Sequence, residues 1–210
     1  MPSRNASAPY HLSSLKRLLT GDVVRAAAEL IGCVLARRLD RGRVVRARIV
    51  EAEAYHQREP GCHAHRGRTP RNTVMFGPPG QLYVYFTYGM WHCCNVVCEA
   101  EGTAAAVLLR AAEPLPPHDC SIKDGKPLRL SGPGLLCQGL ELDRRHNGAN
   151  LLDRRGDVWL YRPADWQPVE LAWTTRIGLS IPDPHSWRCY WAGHPAVSPA
   201  RTGMLKRKQR

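Results

Sequence analysis

Lysine is missing from residue 17 through residue 122 of this 210-residue chain, so that stretch holds no amine that could attack a substrate carbon and form a Schiff base. No run of about twenty apolar residues occurs, which excludes a membrane-spanning helix. The eight cysteines include no Cys-x-x-Cys pair. Cys93, Cys94 and Cys98 crowd beside His92 without a matching second pair downstream, so they are read as small buried hydrophobes rather than as ligands of a closed zinc site. No secretory signal opens the chain, and the thiols point to a reducing, intracellular compartment, either cytoplasm and nucleoid or nucleus. Acidic residues are scarce: 18 Asp and Glu stand against 30 Lys and Arg, a formal charge of +12 that favours a polyanionic partner and salt-sensitive association. Internal repeats are absent too.

What is present fits one domain long enough to bury a sizeable core. Residues 1–14 are small and polar and read as a flexible arm, residues 15–200 as the domain, and residues 201–210 as a basic, solvated tail. Apolar residues recur at helical spacing from Asp22 toward Ala36, with Asp22 suited to cap the start. Asp40-Arg-Gly42 reads as a hairpin turn between a Val34-Leu35 strand and a long strand from Arg43 to Tyr55. Residues 56–81, rich in Gly, Pro, His and Arg, form a long connection of the kind that tends to carry function. Leu82 to Val97 reads as a hairpin with its tip at Tyr88-Gly89, Val107-Leu-Leu-Arg110 as a short strand, and Pro114 to Leu130 as a polar connection. Gly134 to Leu142 follows as a short helix, then Val158-Trp-Leu-Tyr161 and Arg176 to Ser180 as strands. Strands dominate, so the expected fold is α+β, a curved and mainly antiparallel sheet with flanking helices and a protruding β-hairpin.

The segment Arg48-Ile-Val-Glu-Ala-Glu-Ala-Tyr55 places two carboxylates and an aromatic at alternate positions of the long strand. Regular alternation puts Glu51, Glu53 and Tyr55 on one face, together with Val45, Ala47 and Ile49 upstream. An apolar face that ends in acids and an aromatic reads as a pocket wall.

The next forty or so residues supply His63-Ala-His-Arg-Gly, Thr69-Pro-Arg-Asn72, Met75-Phe-Gly-Pro-Pro-Gly80, Leu82-Tyr-Val-Tyr85 and Tyr88-Gly-Met90, leading to Asn95. With Glu53-Ala-Tyr55, Val107-Leu-Leu-Arg110, Ser131-Gly-Pro-Gly-Leu-Leu-Cys-Gln138 and Arg176-Ile-Gly-Leu179, this ordered series resembles the alkyladenine (3-methylpurine) DNA glycosylase family. The resemblance extends over nearly the whole chain. It implies a monofunctional DNA-repair glycosylase that flips an alkylated purine out of double-stranded DNA and hydrolyses its N-glycosidic bond. The lesions implied are 3-methyladenine and 7-methylguanine, with hypoxanthine and ethenoadenine as further possibilities. Neither a metal nor an organic cofactor is implied, and a monomer is expected.

The same resemblance assigns roles. Glu53 matches the carboxylate that takes a proton from water and stabilises the oxocarbenium-like sugar. Tyr55, Tyr85 and His63 match the aromatic cage of the flipped base, where stacking contributes roughly 1–3 kcal/mol per base. The loop leading to His63 is one residue shorter than the usual form, which leaves His65 as a rival. Tyr88 matches the wedge that fills the gap in the duplex. Asn95 matches the residue that guards against guanine. Arg110 and Arg71 are expected at the DNA backbone, with pairing to Glu113 as the alternative for Arg110. Glu51 is read as the partner of an arginine such as Arg46 or Arg48. Two other readings remain at this level: a noncatalytic damage binder, which retention of Glu53 argues against, and a metal-dependent hydrolase using His63, His65, His92 and the nearby cysteines, whose spacings fit no closed site.

Overall fold

The computed structural model describes residues 12–116 and 128–199. Most of the expected N-terminal arm, much of the connection after Pro114 and the basic tail lie outside the described residues. Two short helices, α1 (Leu12–Leu19) and α2 (Val23–Leu30), lead into β1 (Val34–Arg38). Asp22 caps α2 as its type and place predict, accepting the backbone N–H groups of Val24 and Arg25 at 3.0 Å each. The helix stops at Leu30, well short of Ala36, because Gly32 at φ +85° turns the chain and Trp166 fills the place where a side chain at that position would stand. The arm gives way to α1 already at Leu12, a helix that the sequence reading missed.

The long strand β2 (Val44–His56) is the hub of an eight-stranded antiparallel sheet. One edge of β2 pairs along most of its length with β5 (Ala105–Pro114), which continues the sheet to β4 (Trp91–Val97) and β3 (Leu82–Thr87). Its other edge is shared by two partners. β1, followed by β6 (Val158–Tyr161), takes the first half, and β8 (Arg188–Trp191), followed by β7 (Leu171–Thr174), takes Glu51 to Glu53. The helix α3 (Pro133–Gly139) packs on β4 and β5, and its Leu136 and Cys137 join Val23, Ala27 and Leu30 of α2 in one apolar core with the inner sheet face. No described helix is long and apolar enough to cross a membrane.

The register of β2 corrects the expected alternation. Ile49 pairs with Ala112, Glu51 with Ala111 and Ala52 with Leu109, so Val50 on β2 and Arg110 on β5 are each one residue in excess of the ladder. Such a bulge turns the side chains that follow to the other face. Val45, Ala47 and Ile49 lie in the main core, and so do Ala52 and Ala54 from the opposite parity. Glu51, Glu53 and Tyr55 therefore face away from the side that Ile49 occupies.

The segment from Arg176 to Ser180 is a loop rather than a strand. Its backbone and side chains are committed elsewhere: the Ile177 N–H donates to Glu53, the Arg176 side chain is buried among acids, and Gly178 sits at φ +84°. The hairpin of β3 and β4 is present as expected. Its turn places Tyr88 at φ 51° and Gly89 at φ 68°, a left-handed pair that lets the chain reverse tightly.

Candidate active site

Two carboxylates, 0% exposed, sit two residues apart on β2 and differ in how they are held. Glu51 accepts the Nε–H of Arg110 at 2.8 Å, the Nε–H of Arg188 at 2.7 Å, the Ser198 hydroxyl at 2.9 Å and the Ser198 backbone N–H at 2.7 Å. Three of these donors converge on Oε1 and one on Oε2, so Glu51 is held by four hydrogen bonds. Glu53 accepts the Ile177 N–H at 2.7 Å and the Tyr55 hydroxyl at 2.9 Å, while Nη1 of Arg110 stands 3.2 Å from its Oε1. The bulge at Arg110 aims that guanidinium between the two acids.

Their acidities part accordingly. Burial raises the Glu53 carboxyl above the ordinary 4.5, against the pull of Arg110 and the donors from Ile177 and Tyr55. Burial acts on Glu51 too, but there Arg110, Ser198 and Arg188 outweigh it and hold the carboxyl below 4.5.

Glu53 lies directly behind Tyr55, Arg110 and Ile177, which with His63, Tyr85 and Asn95 line an open cavity of about 390 Å³. His63 meets Tyr85 edge-on, with ring centroids 4.5 Å apart, and its Nδ1 lies 3.2 Å from the Tyr83 hydroxyl. Burial and Arg71 push the His63 imidazole below its usual 6.5, so at neutral pH it is an uncharged aromatic face. Of the two histidines His63 lines this cavity, while Nδ1 of His65 lies 3.2 Å from the Gln57 carbonyl oxygen. Asn95 is buried and gives one amide hydrogen to the Tyr83 carbonyl at 3.1 Å, leaving the rest of its amide for the cavity it lines. Tyr88, 70% exposed at the hairpin tip, projects from the cavity rim with Met90 and Phe86 beside it.

The profile of the methylpurine-DNA glycosylases matches residues 17–195 of this sequence. The chain belongs to the methylpurine-DNA glycosylase family. As a member it is a monofunctional glycosylase that hydrolyses N-glycosidic bonds in DNA. It is similar to proteins provisionally named 3-methyladenine DNA glycosylase. One from Synechococcus sp. (strain JA-3-3Ab) is 49% identical over 179 residues, covering 82% of this chain and 92% of that protein. One from Carboxydothermus hydrogenoformans is 46% identical, covering 84% of this chain and 94% of that protein. A third, from Streptomyces avermitilis, is 39% identical over 212 residues and matches 97% of this chain and 99% of its own length.

Several site groups of this methylpurine-DNA glycosylase family member are engaged in ways that the sequence reading did not give. The partners of Glu51 are Arg110 and Arg188 instead of Arg46 or Arg48, and Arg48 pairs with Glu113 at 3.2 Å. Arg110 is thus 6% exposed and engaged with Glu51 and Glu53, not with Glu113. Tyr83 lines the cavity and was quoted only as part of a motif. Arg176 forms a bidentate pair with Glu59 at 2.8 and 2.9 Å, pairs with Asp183 at 2.9 Å, and lies over the Tyr55 ring, 4.6 Å from its centroid. Asn72 donates to the carbonyls of His63 and Gly67 at 3.0 Å each and shapes the loop that presents His63. Arg71 is exposed at the rim, 5.5 Å from the Tyr85 ring. Among the described residues no group of three or more His, Cys, Asp or Glu is arranged to hold a metal ion, and the cysteines Cys93, Cys94 and Cys98 are buried.

Proposed function

We propose that the protein excises alkylated purines, 3-methyladenine and 7-methylguanine foremost, from double-stranded DNA and leaves an abasic site. The observation that carries this reading is Glu53: a buried carboxyl raised in basicity, with one acceptor position of Oε2 left for a water, behind an aromatic cavity large enough for a purine. The extruded base lies against Tyr55, Tyr85 and His63, and Glu53 takes the proton of the water that attacks C1′ as positive charge develops on the sugar. Arg110 faces the sugar–phosphate of the flipped nucleotide, and Arg71 meets the backbone outside. Tyr88 enters through the minor groove and fills the vacated space. Asn95 packs against the base edge where guanine carries its 2-amino group, which would be left desolvated and unpaired at a cost of roughly 1–3 kcal/mol.

Cationic 3-methyladenine and 7-methylguanine already carry a weakened glycosidic bond, so water activation and a fitted cavity suffice for them. Hypoxanthine and ethenoadenine are neutral, need a proton on the leaving base as well, and are the slower substrates. The test is incubation with duplexes carrying each modified purine, followed by alkali to reveal abasic sites. Glu53→Gln is expected to lower base release by about a hundredfold or more while damaged-DNA binding stays within a few-fold. Near-normal release by this variant would move the chemistry to another residue. Binding that weakens steeply with added salt is expected of a duplex ligand.

A further inference from the structure

Arg110 is the only cation in contact with Glu53 among the described residues, and it has two claimants. Its Nε–H is bonded to Glu51 at 2.8 Å, whereas its Nη1 stays 3.2 Å from Glu53. Glu51 is in turn fixed from two directions that have nothing to do with the cavity. Arg188 of β8 reaches it from the neighbouring strand, and Ser198 gives it both a backbone N–H and a hydroxyl. A buried guanidinium beside two carboxylates closes on whichever is better placed, and a full ion pair with Glu53 would neutralise the group that must accept a proton.

We propose that Glu51 is a positioning residue: by anchoring the Nε edge of Arg110 it keeps that guanidinium from closing onto Glu53, and so preserves Glu53 as the base for water. Arg188 and Ser198 set how firmly the anchor holds. This rests on the assignment of Glu53 as general base. The titratable and charged groups facing Glu53 are Glu51 and Tyr55 from β2, Tyr85 from β3, Cys93 from β4, Arg110 from β5 and Cys189 from β8, with the Ile177 N–H from the loop. Arg188 of β8 also stands opposite Glu53 in the strand register, but its guanidinium is bonded to Glu51 and Thr174, so the full charges that act on Glu53 are Arg110 and Glu51. Glu51 acts by opposing Arg110, and its own negative charge favours the protonated form of Glu53.

The sign of the effect follows. Glu51→Gln removes the competing charge, so Arg110 turns wholly to Glu53 and stabilises its ionised form. The acid limb of single-turnover 3-methyladenine release then moves to lower pH by about one unit. The plateau rate drops roughly three- to tenfold as the base weakens. Glu51→Asp keeps the charge and keeps the limb near its wild-type place. Ser198→Ala takes one donor from Glu51, which then leans harder on Arg110 and draws it from Glu53, so the limb moves the opposite way by a few tenths of a unit. This change removes one buried hydroxyl and leaves the Ser198 backbone N–H on Glu51, so it decides alone where Glu51→Gln does not fold. A limb that stays in place, or that moves in the same direction in Glu51→Gln and Ser198→Ala, overturns the proposal, whatever either variant does to thermal stability. Glu53→Gln in the same assay separates the two levels: retained release there sinks the assignment of Glu53, while lost release there with an unmoved limb in the Glu51 and Ser198 variants sinks only the role of Glu51.

Discussion

From Val44 to Ile49, β2 alternates half-buried Val44, Arg46 and Arg48 with buried Val45, Ala47 and Ile49, one face on the core and the other toward solvent. From Val50 to Ala54 every residue is buried, and the face that was outward now carries carboxylates. The two halves share one backbone and one partner, β5, but differ on the opposite edge, where β1 covers the first and β8 with the loop after β7 covers the second. A covered outer face is what allows a carboxylate to be buried beside donors of its own, and the bulge between the halves is what turns it there. On the proposed assignment of Glu53 the chemistry belongs to the second half, so substitutions in the two halves should part in their effects.

Removing the bulge tests this most severely. Deleting Val50 makes Ile49 and Glu51 consecutive, so plain alternation still turns Glu51, Glu53 and Tyr55 away from the core, but the deletion removes a buried side chain and the local bend that aims the two acids. Single-turnover base release is expected to fall by about a hundredfold, since a misplacement of about 1 Å at the reacting groups costs that much; a deletion variant that releases base at the wild-type rate would break the comparison. Next in size, Ile49→Ala empties a fully buried position and should cost about 3 kcal/mol of stability in denaturant unfolding. Below its melting temperature the single-turnover rate should match the wild type, the reverse of Glu53→Gln.

The second half is further sharpened by effects that depend on the substrate, which a packing defect cannot produce. Tyr88→Ala should slow release of a well-paired lesion about tenfold and that of a mispaired lesion much less, because a weakly paired base costs little to extrude. Equal losses on both would make Tyr88 structural. Smallest is Asn95→Ser, expected to raise release of guanine derivatives a few-fold relative to 3-methyladenine. An unchanged ratio in a folded variant places the selectivity elsewhere in the cavity.

The legibility of the chain divides along the same line. Strand and turn residues in local runs predicted β2, the β3–β4 hairpin and β6 well, since alternation and turn chemistry are short-range signals. The bulge was not legible: nothing in Ile49-Val50-Glu51 marks Val50 as the extra residue, because a bulge is defined by what lies opposite. The arginines of Glu51 were sought at Arg46 and Arg48, its neighbours in sequence, but Arg110, Arg188 and Ser198 are brought to it by the sheet from 59, 137 and 147 residues away. The contribution of Ile177 is a backbone N–H, which leaves no mark in residue type, and the apolar look of the 176–180 segment suggested a strand instead. His63 and His65 were separated only by the loop that Asn72 ties down.

The distance between Glu51 and Ser198 has a consequence for how the protein comes into being. β2 is synthesised early, yet its two acids receive their last donors only from residues 147 positions further on for Glu51 and 124 for Glu53. Until then both carboxylates are more comfortable in water than in a core, and the centre of the sheet has reason to stay open. Contacts of such separation slow folding, since a long loop must close before they form. The enzyme is thus assembled as well as folded by its closing segment: a nascent chain that already carries Glu53, Tyr55, His63 and Tyr85 is still not a glycosylase.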